Sequence, residues 1–150
     1  MKKYSQLLLG FAVILVGLLG ISSQAHAVTH YVQSSTPTIF VHGWGSSSHA
    51  EEKMANAARD AGVTKTIVRA NVDRKGKVTF NHQIPANAVN PIVEVNLEDN
   101  KLSSYQDDYT QGYHHGGGYV KNVVLALEKQ HHYKQINLVG HSMGNLEIIN

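Results

Sequence analysis

Short apolar runs and longer amphipathic stretches alternate along most of the chain. Short runs rich in β-branched residues are typical of strands, and runs without a polar centre are typical of strands buried on both faces of a parallel sheet. The runs predict strands at residues 38–41, 64–72, 78–84, 92–97 and 136–139. The polar, glycine-containing segment Asp73–Lys77 predicts a hairpin turn between the second and third of these strands.

Two amphipathic stretches predict helices. The first has Ser48 as its N-cap and Gly62 as its C-terminal stop. Its expected apolar face consists of Met54, Ala57, Ala58 and Ala61. The second runs from Tyr119 to about His132, with apolar residues at the spacing i, i+3, i+4, i+7. The intervening Ser103–Gly118, rich in Tyr, Gly and Asp, is expected to be a loop that covers a site. The alternation of strands and helices predicts an α/β fold with a mainly parallel sheet.

The first residues have the pattern of a secretory signal peptide. Lys2 and Lys3 precede the apolar run Leu7–Ile21, and Ala25 and Ala27 supply the A-x-A spacing of a cleavage site. The alternative is an uncleaved anchor, but the run is shorter than the roughly 20 residues that a membrane span needs. We therefore expect a signal peptide at residues 1–27, a linker at 28–36 and one domain at 37–150. Cleavage after Ala27 predicts a secreted or cell-surface protein that contacts a membrane only if the leader is uncleaved.

Charge and composition narrow the chemistry. The chain has 13 basic and 11 acidic residues, and two of the basic ones, Lys2 and Lys3, lie in the leader. The remainder is balanced, so we expect no nucleic-acid partner. The absence of cysteine excludes disulfides and thiolate metal sites. Ten histidines leave a His-rich metal protein as an alternative, but the pairs at 114–115 and 131–132 are adjacent and would diverge on a helix. We expect no metal.

The segment Gly140–Gly144 reads GHSMG and matches the G-x-S-x-G pattern of a nucleophile elbow. A predicted buried strand precedes it and an apolar, helix-like segment follows it, which is the context that the motif requires. Glycines are needed at both ends because a Cβ there would collide with the strand or the helix. The pattern indicates that Ser142 is a catalytic nucleophile.

A second motif agrees with the first. The segment 42–45, His-Gly-Trp-Gly, follows the predicted strand 38–41, where the fold of such enzymes places one of two oxyanion donors. The expected donors are the backbone N–H groups of Trp44 and Met143, with Gly43 as part of the loop motif. We interpret His42 and His141 as residues that hold their loops rather than as catalytic bases. Trp44 could line a substrate pocket or pack inside the protein.

Three segments resemble one family. They are PTIFVHGWGS at 37–46, PIVEVNLEDN at 91–100 and INLVGHSMGN at 136–145. They are similar to the exported, lipase-like α/β hydrolases of Gram-positive bacteria called cell-surface hydrolases, or domain of unknown function 915. The resemblance implies an α/β-hydrolase fold with an inserted hairpin and a serine hydrolase acting on esters or amides, without metal or organic cofactor. We expect a small-molecule or lipid ester as the substrate.

One feature departs from the pattern. In this fold the acid and the histidine of the triad follow the serine, and only residues 145–150 follow Ser142. Asn145 also stands where the family usually has glycine. The sequence therefore predicts an amino-terminal part of the fold, with little or no turnover in this form and an unpaired edge on strand 136–139. The alternative from another class is a non-catalytic secreted binding module, with the Tyr-rich stretch 105–119 as its contact surface.

Overall fold

The computed structural model describes residues 31–150. The predicted signal peptide and residues 28–30 of the predicted linker lie outside the described residues. Five strands form one sheet in the order β3-β2-β4-β1-β5. The strands are β1 (Thr38–Val41), β2 (Ile67–Val72), β3 (Val78–Phe80), β4 (Ile92–Leu97) and β5 (Asn137–Gly140). All neighbouring pairs are parallel except β2 and β3, which form the hairpin. The mainly parallel α/β sheet is confirmed.

Helices cover both faces of the sheet. They are α1 (Glu52–Asp60), α2 (Tyr109–His131) and α3 (Met143–Ile149). The larger core joins the sheet to α2 through Val120, Val123 and Leu127, all nearly inaccessible to solvent. A smaller core on the other face packs Ala55 of α1 against Phe40 and Ile92. This two-sided burial explains why the central strands read as apolar runs.

The start of the first helix differs from the prediction. A 3₁₀ turn, Ser48–Ala50, precedes α1, and Ser47 rather than Ser48 caps that turn by accepting a hydrogen bond from His49 N. The extra turn changes which residues face the sheet, so Ala55 is buried while most of the expected apolar face, including Met54, is exposed. The predicted stop is confirmed, because Gly62 has φ +77° and donates to Arg59 O at 2.9 Å.

The second helix begins ten residues before its predicted start, so the prediction of a loop is wrong for most of residues 103–118, which are helical. Asp108 caps α2 by accepting a hydrogen bond from Gln111 N at 3.1 Å. Gly112 and Gly116 are buried on one face of the helix. A Cβ on Gly112 would lie 3.0 Å from Tyr105 Cβ, and one on Gly116 would lie 2.5 Å from Glu147 Oε1. These glycines permit close packing within a helix instead of marking a loop.

Two strands also differ from their predictions. β3 ends at Phe80, although the turn before it is as expected: Asp73 Oδ1 accepts from Lys75 N and Lys77 N, both at 2.9 Å. β5 was expected to be buried, but Leu138 is 40% exposed. β5 pairs with β1 on one side and with no other strand among residues 31–150.

Candidate active site

The GHSMG segment forms a sharp turn between β5 and α3. Ser142 has φ 53° and ψ −120°, a backbone conformation that non-glycine residues rarely adopt, and its side chain is exposed. A Cβ on Gly140 would lie 2.6 Å from Asn145 N, and one on Gly144 would lie 2.8 Å from His42 O. The glycines therefore permit the close crossing of strand and helix that holds Ser142 in this conformation.

The loop after β1 lies directly against this turn. A Cβ on Gly43 would be 3.0 Å from Ser142 Cβ and 3.2 Å from His141 O. The register between β1 and β5, which pairs Val41 with Gly140, brings the two loops side by side. Sequence motifs far apart in the chain thus meet at the carboxyl ends of neighbouring strands.

Two backbone donors at this junction have no internal acceptor. Within the part of the chain that the structure describes, neither the Trp44 N–H nor the Met143 N–H donates to a protein oxygen. Met143 is the first residue of α3 and follows Ser142, whereas Trp44 follows Gly43. Unused N–H groups on both loops beside an exposed serine are what stabilisation of an oxyanion requires.

The loop after β4 supports the Trp44 loop, a role that the sequence reading missed. Asn100 O accepts from Gly45 N at 2.7 Å, and Asn100 Nδ2 donates to Ser46 O at 2.6 Å. The available signal was the polar cluster that ends β4, because carboxyl ends of parallel strands meet at one edge of the sheet. Asn100 thus holds the Trp44 loop from the β4 side, whereas the serine turn lies on the β5 side.

His42 is fully buried and uses both ring nitrogens. Its Nδ1 lies 2.9 Å from Gly43 O, which can only accept, so Nδ1 carries the proton. Its Nε2 accepts from Leu97 N at 3.1 Å. Burial lowers the pKa of the His42 imidazole below its usual value, so the ring is neutral near pH 7. In this position His42 fastens the loop to β4 and cannot act as a base toward Ser142.

His141 projects away from the turn toward the start of α1. Its side chain is mostly exposed, and its Nδ1 lies 3.6 Å from Oε1 of the buried Glu51. Its backbone stays within the turn: His141 N donates to Val41 O, and His141 O accepts from Gly144 N, both at 3.0 Å.

Trp44 stands at the mouth of the site. Its side chain is 54% exposed, which excludes the alternative of internal packing within residues 31–150. Lys101 Nζ lies 5.4 Å from the centroid of the ring, a cation–π distance. The indole and the ammonium therefore form an exposed wall on the loop that adjoins the serine turn.

A buried acid lies behind the turn. Glu147 of α3 is 1% exposed, and neither carboxylate oxygen has a hydrogen-bonding partner among the described residues. Desolvation raises the pKa of Glu147 to about 7, and the nearby carboxylate of Asp99 acts in the same direction. Nothing in the sequence pattern marked this position, which read as one polar residue in an apolar helix.

One histidine of each adjacent pair has a hydrogen-bonding partner. His115 Nε2 lies 2.8 Å from Tyr119 Oη, and His131 Nε2 lies 2.6 Å from Ile84 O. Residues 31–150 contain no cluster of three or more His, Asp or Glu side chains arranged to bind a metal ion. In the same range, every helix is too short or too polar to cross a bilayer.

Together the parallel sheet, the strained serine turn and the adjoining donor loop define an α/β hydrolase. A family model described as "Alpha/beta hydrolase of unknown function (DUF915)" matches residues 25–150, and the chain belongs to this family. The family resemblance and the fold class expected from the sequence are confirmed.

Two solved structures share the fold. The product of gene lin2722 from Listeria innocua is 24% identical, with a TM-score of 0.62 over 77% of this chain and 42% of that protein. A protein described as a candidate cell surface hydrolase from Lactobacillus plantarum WCFS1 is 19% identical, with a TM-score of 0.62 over 75% of this chain and 43% of that protein. The chain thus spans less than half the length of these two proteins. No curated protein matches it significantly.

Proposed function

We propose that the full-length protein is an exported serine hydrolase that cleaves carboxylic esters, with Ser142 as its nucleophile. The observation that carries the proposal is the junction of Ser142 with the loop of Gly43 and Trp44. There an exposed serine in a strained conformation adjoins two N–H groups that lack acceptors among residues 31–150. Family membership supports hydrolysis as the reaction class.

The proposed reaction is acyl transfer through the serine oxygen. Ser142 Oγ attacks the ester carbonyl carbon while a histidine base takes its proton, and the carbonyl oxygen becomes an oxyanion held by Trp44 N–H and Met143 N–H. The alcohol leaves with that proton, and water then hydrolyses the acyl-serine to a carboxylic acid. Because both nitrogens of His42 are engaged, we propose that the base and its acid come from residues that follow Ser142 in the full-length protein.

The substrate is proposed to be a small-molecule or lipid ester, and no metal or organic cofactor takes part. Esters have a better leaving group than amides, so their cleavage needs less assistance to the leaving group from a general acid. The exposed indole of Trp44 offers an apolar surface for an acyl chain or alcohol group.

A fluorophosphonate probe tests the proposal. The full-length protein should be labelled at Ser142, identified by peptide mass spectrometry, and should hydrolyse p-nitrophenyl esters. Ser142→Ala should lose both activities, while Ser103→Ala, in the 3₁₀ turn Ser103–Tyr105, serves as a matched serine control. Residues 28–150 expressed alone should react much more slowly. Full-length protein that resists the probe would instead support a non-catalytic binding module.

Export is tested separately. The pattern of residues 1–27 and the cell-surface description of the Lactobacillus neighbour support it. Amino-terminal sequencing of protein from the culture medium or the cell wall should begin at Val28. Membrane-bound protein that retains Met1 would show that the leader is an anchor.

A further inference from the structure

A buried carboxylate lies beside the serine turn without a hydrogen-bonding partner. Glu51 occupies the junction between the 3₁₀ turn and α1, where its side chain is about one-tenth exposed. Its Oε1 receives no hydrogen bond from residues 31–150, and its side chain does not cap α1. Burying an unpaired carboxylate is unfavourable, so a nearby positive charge is expected to compensate it.

His141 is the group that lies against this carboxylate. Its Nδ1 lies 3.6 Å from Glu51 Oε1, beyond hydrogen-bond length but close enough for electrostatic attraction. Two other titratable groups act on this region. His42 is neutral because both its nitrogens are engaged, and Glu94 of β4 is another buried acid. Neither of them can balance a negative charge on Glu51.

The side chain of His141 connects this carboxylate to the nucleophile. The backbone of His141 is fixed within the turn by its bonds to Val41 and Gly144, and Ser142 follows directly. The strained conformation of Ser142 persists only if the surrounding contacts hold it. The attraction between Glu51, at the start of α1, and the His141 ring is one such contact, and it acts on the residue next to Ser142.

We propose that Glu51 is a positioning residue of the hydrolase, which attracts the His141 imidazole and so holds Ser142 aimed at the Trp44 and Met143 donors. The inference rests on the proposed function. It assigns a role to a charge that the described residues otherwise leave uncompensated. The 3₁₀ turn also gains a role, because it positions Glu51 beside the serine turn. Glu51 itself touches no reacting atom.

The test compares charge-removing variants in the full-length protein. Glu51→Gln keeps the size of the side chain and removes its charge. Glu52→Gln is the matched control, because the adjacent Glu52 pairs instead with His49 and Arg69, both at 2.8 Å. Three quantities are measured: the rate of fluorophosphonate labelling at Ser142, amide hydrogen exchange across residues 140–145, and the urea midpoint of unfolding.

We expect Glu51→Gln to slow labelling about tenfold. It should also speed exchange across the turn and leave the urea midpoint unchanged or higher, because folding no longer has to remove a carboxylate from water. On ester substrates kcat should fall while KM stays constant. His141→Gln should reproduce the effect, and the double variant should be no slower than either single one. Glu52→Gln should label at the wild-type rate.

Two outcomes would overturn the inference. One is wild-type labelling and exchange in Glu51→Gln. The other is a loss of labelling that follows a lowered urea midpoint, which would make Glu51 a folding residue only. If the unsubstituted protein does not label at all, the hydrolase proposal fails by itself. Hydrogen exchange then still decides whether Glu51 holds the turn: faster exchange in Glu51→Gln supports this, and unchanged exchange refutes it.

Discussion

Glu147 makes the stability of the protein depend on pH in a direction opposite to that of most carboxylates. Its side chain is buried at the contact of α3 with α2, where Gly116 leaves just enough room for the carboxyl group. Burial, with a further contribution from Asp99, raises the pKa of Glu147 to about 7 from an ordinary value of 4.5. Replacement by Gln keeps the shape of the side chain and removes the titration.

The size of the effect follows from the shift in pKa. Below pH 4.5 Glu147 is protonated in both the folded and unfolded states, and its charge does not affect folding. As the pH rises toward 7, the unfolded chain loses the proton first, so the folded state loses stability until its own carboxyl group ionises. A difference of about 2.5 pKa units corresponds to a total loss of about 3 kcal/mol above pH 7. Glu147→Gln should lack this loss.

The assay is urea unfolding of residues 28–150, with and without Glu147→Gln, between pH 4.5 and pH 8.5. The variant should match the unsubstituted protein at pH 4.5 and exceed its free energy of unfolding by about 3 kcal/mol at pH 8.5. Glu128→Gln, at an exposed position on α2, should show no such trend. A difference that stays constant across the pH range would refute the assignment, because it would show that the pKa of Glu147 is the same in the folded and unfolded states.

Three further substitutions test the serine turn and the loop beside it. Ser142→Gly should abolish probe labelling yet raise the free energy of unfolding by about 1 kcal/mol, measured in urea, because glycine adopts φ 53° without strain. Gly144→Ala places a Cβ against the carbonyl oxygens of Val41 and His42 and should lower that free energy by about 3 kcal/mol; a fully stable, labelled variant would contradict the packing. His42→Ala should cost about 2–4 kcal/mol because two buried backbone groups lose their partners. Because the pKa of His42 is lowered in the folded state, its contribution to folding stability is complete above pH 6.5 and decreases on acidification. Probe labelling of Ser142 and the free energy of unfolding in urea, both measured across pH 5–8, should therefore decrease toward pH 5.

The predictions that succeeded depend on local physical rules. The apolar runs predicted the class of the sheet. The helix stop at Gly62 and the turn at Asp73 were also predicted, because glycine conformation and side-chain turns are determined by a few neighbouring residues. The placement of Ser142 beside Gly43 followed from two strand-loop-helix motifs. The roles of Ser142, Trp44 and Met143 stay predictions until the probe is used.

The predictions that failed depend on contacts between distant residues. Gly112 and Gly116 were predicted to lie in a loop. Within the helix they allow Tyr105 and Glu147 to pack closely, and the local sequence does not show these contacts. The exposure of β5 depends on which strands lie beside it, and the residues of β5 alone do not determine those neighbours. The burial of Glu51 beside His141 appears only once α1 is docked on the sheet.

The pairing of Val41 with Gly140 makes the geometry of the site a matter of strand alignment. The loop that leads to Trp44 begins one residue beyond Val41, and Ser142 lies two residues beyond Gly140, so the register of β1 and β5 aligns the two. A slip of one residue would displace Ser142 by about 3.3 Å relative to Trp44, more than the length of a hydrogen bond. Insertions or deletions inside either strand should therefore be far more damaging to catalysis than changes of equal size in the exposed Trp44 and Lys101 wall. Substitutions in that wall, by contrast, leave the alignment of the two strands unchanged.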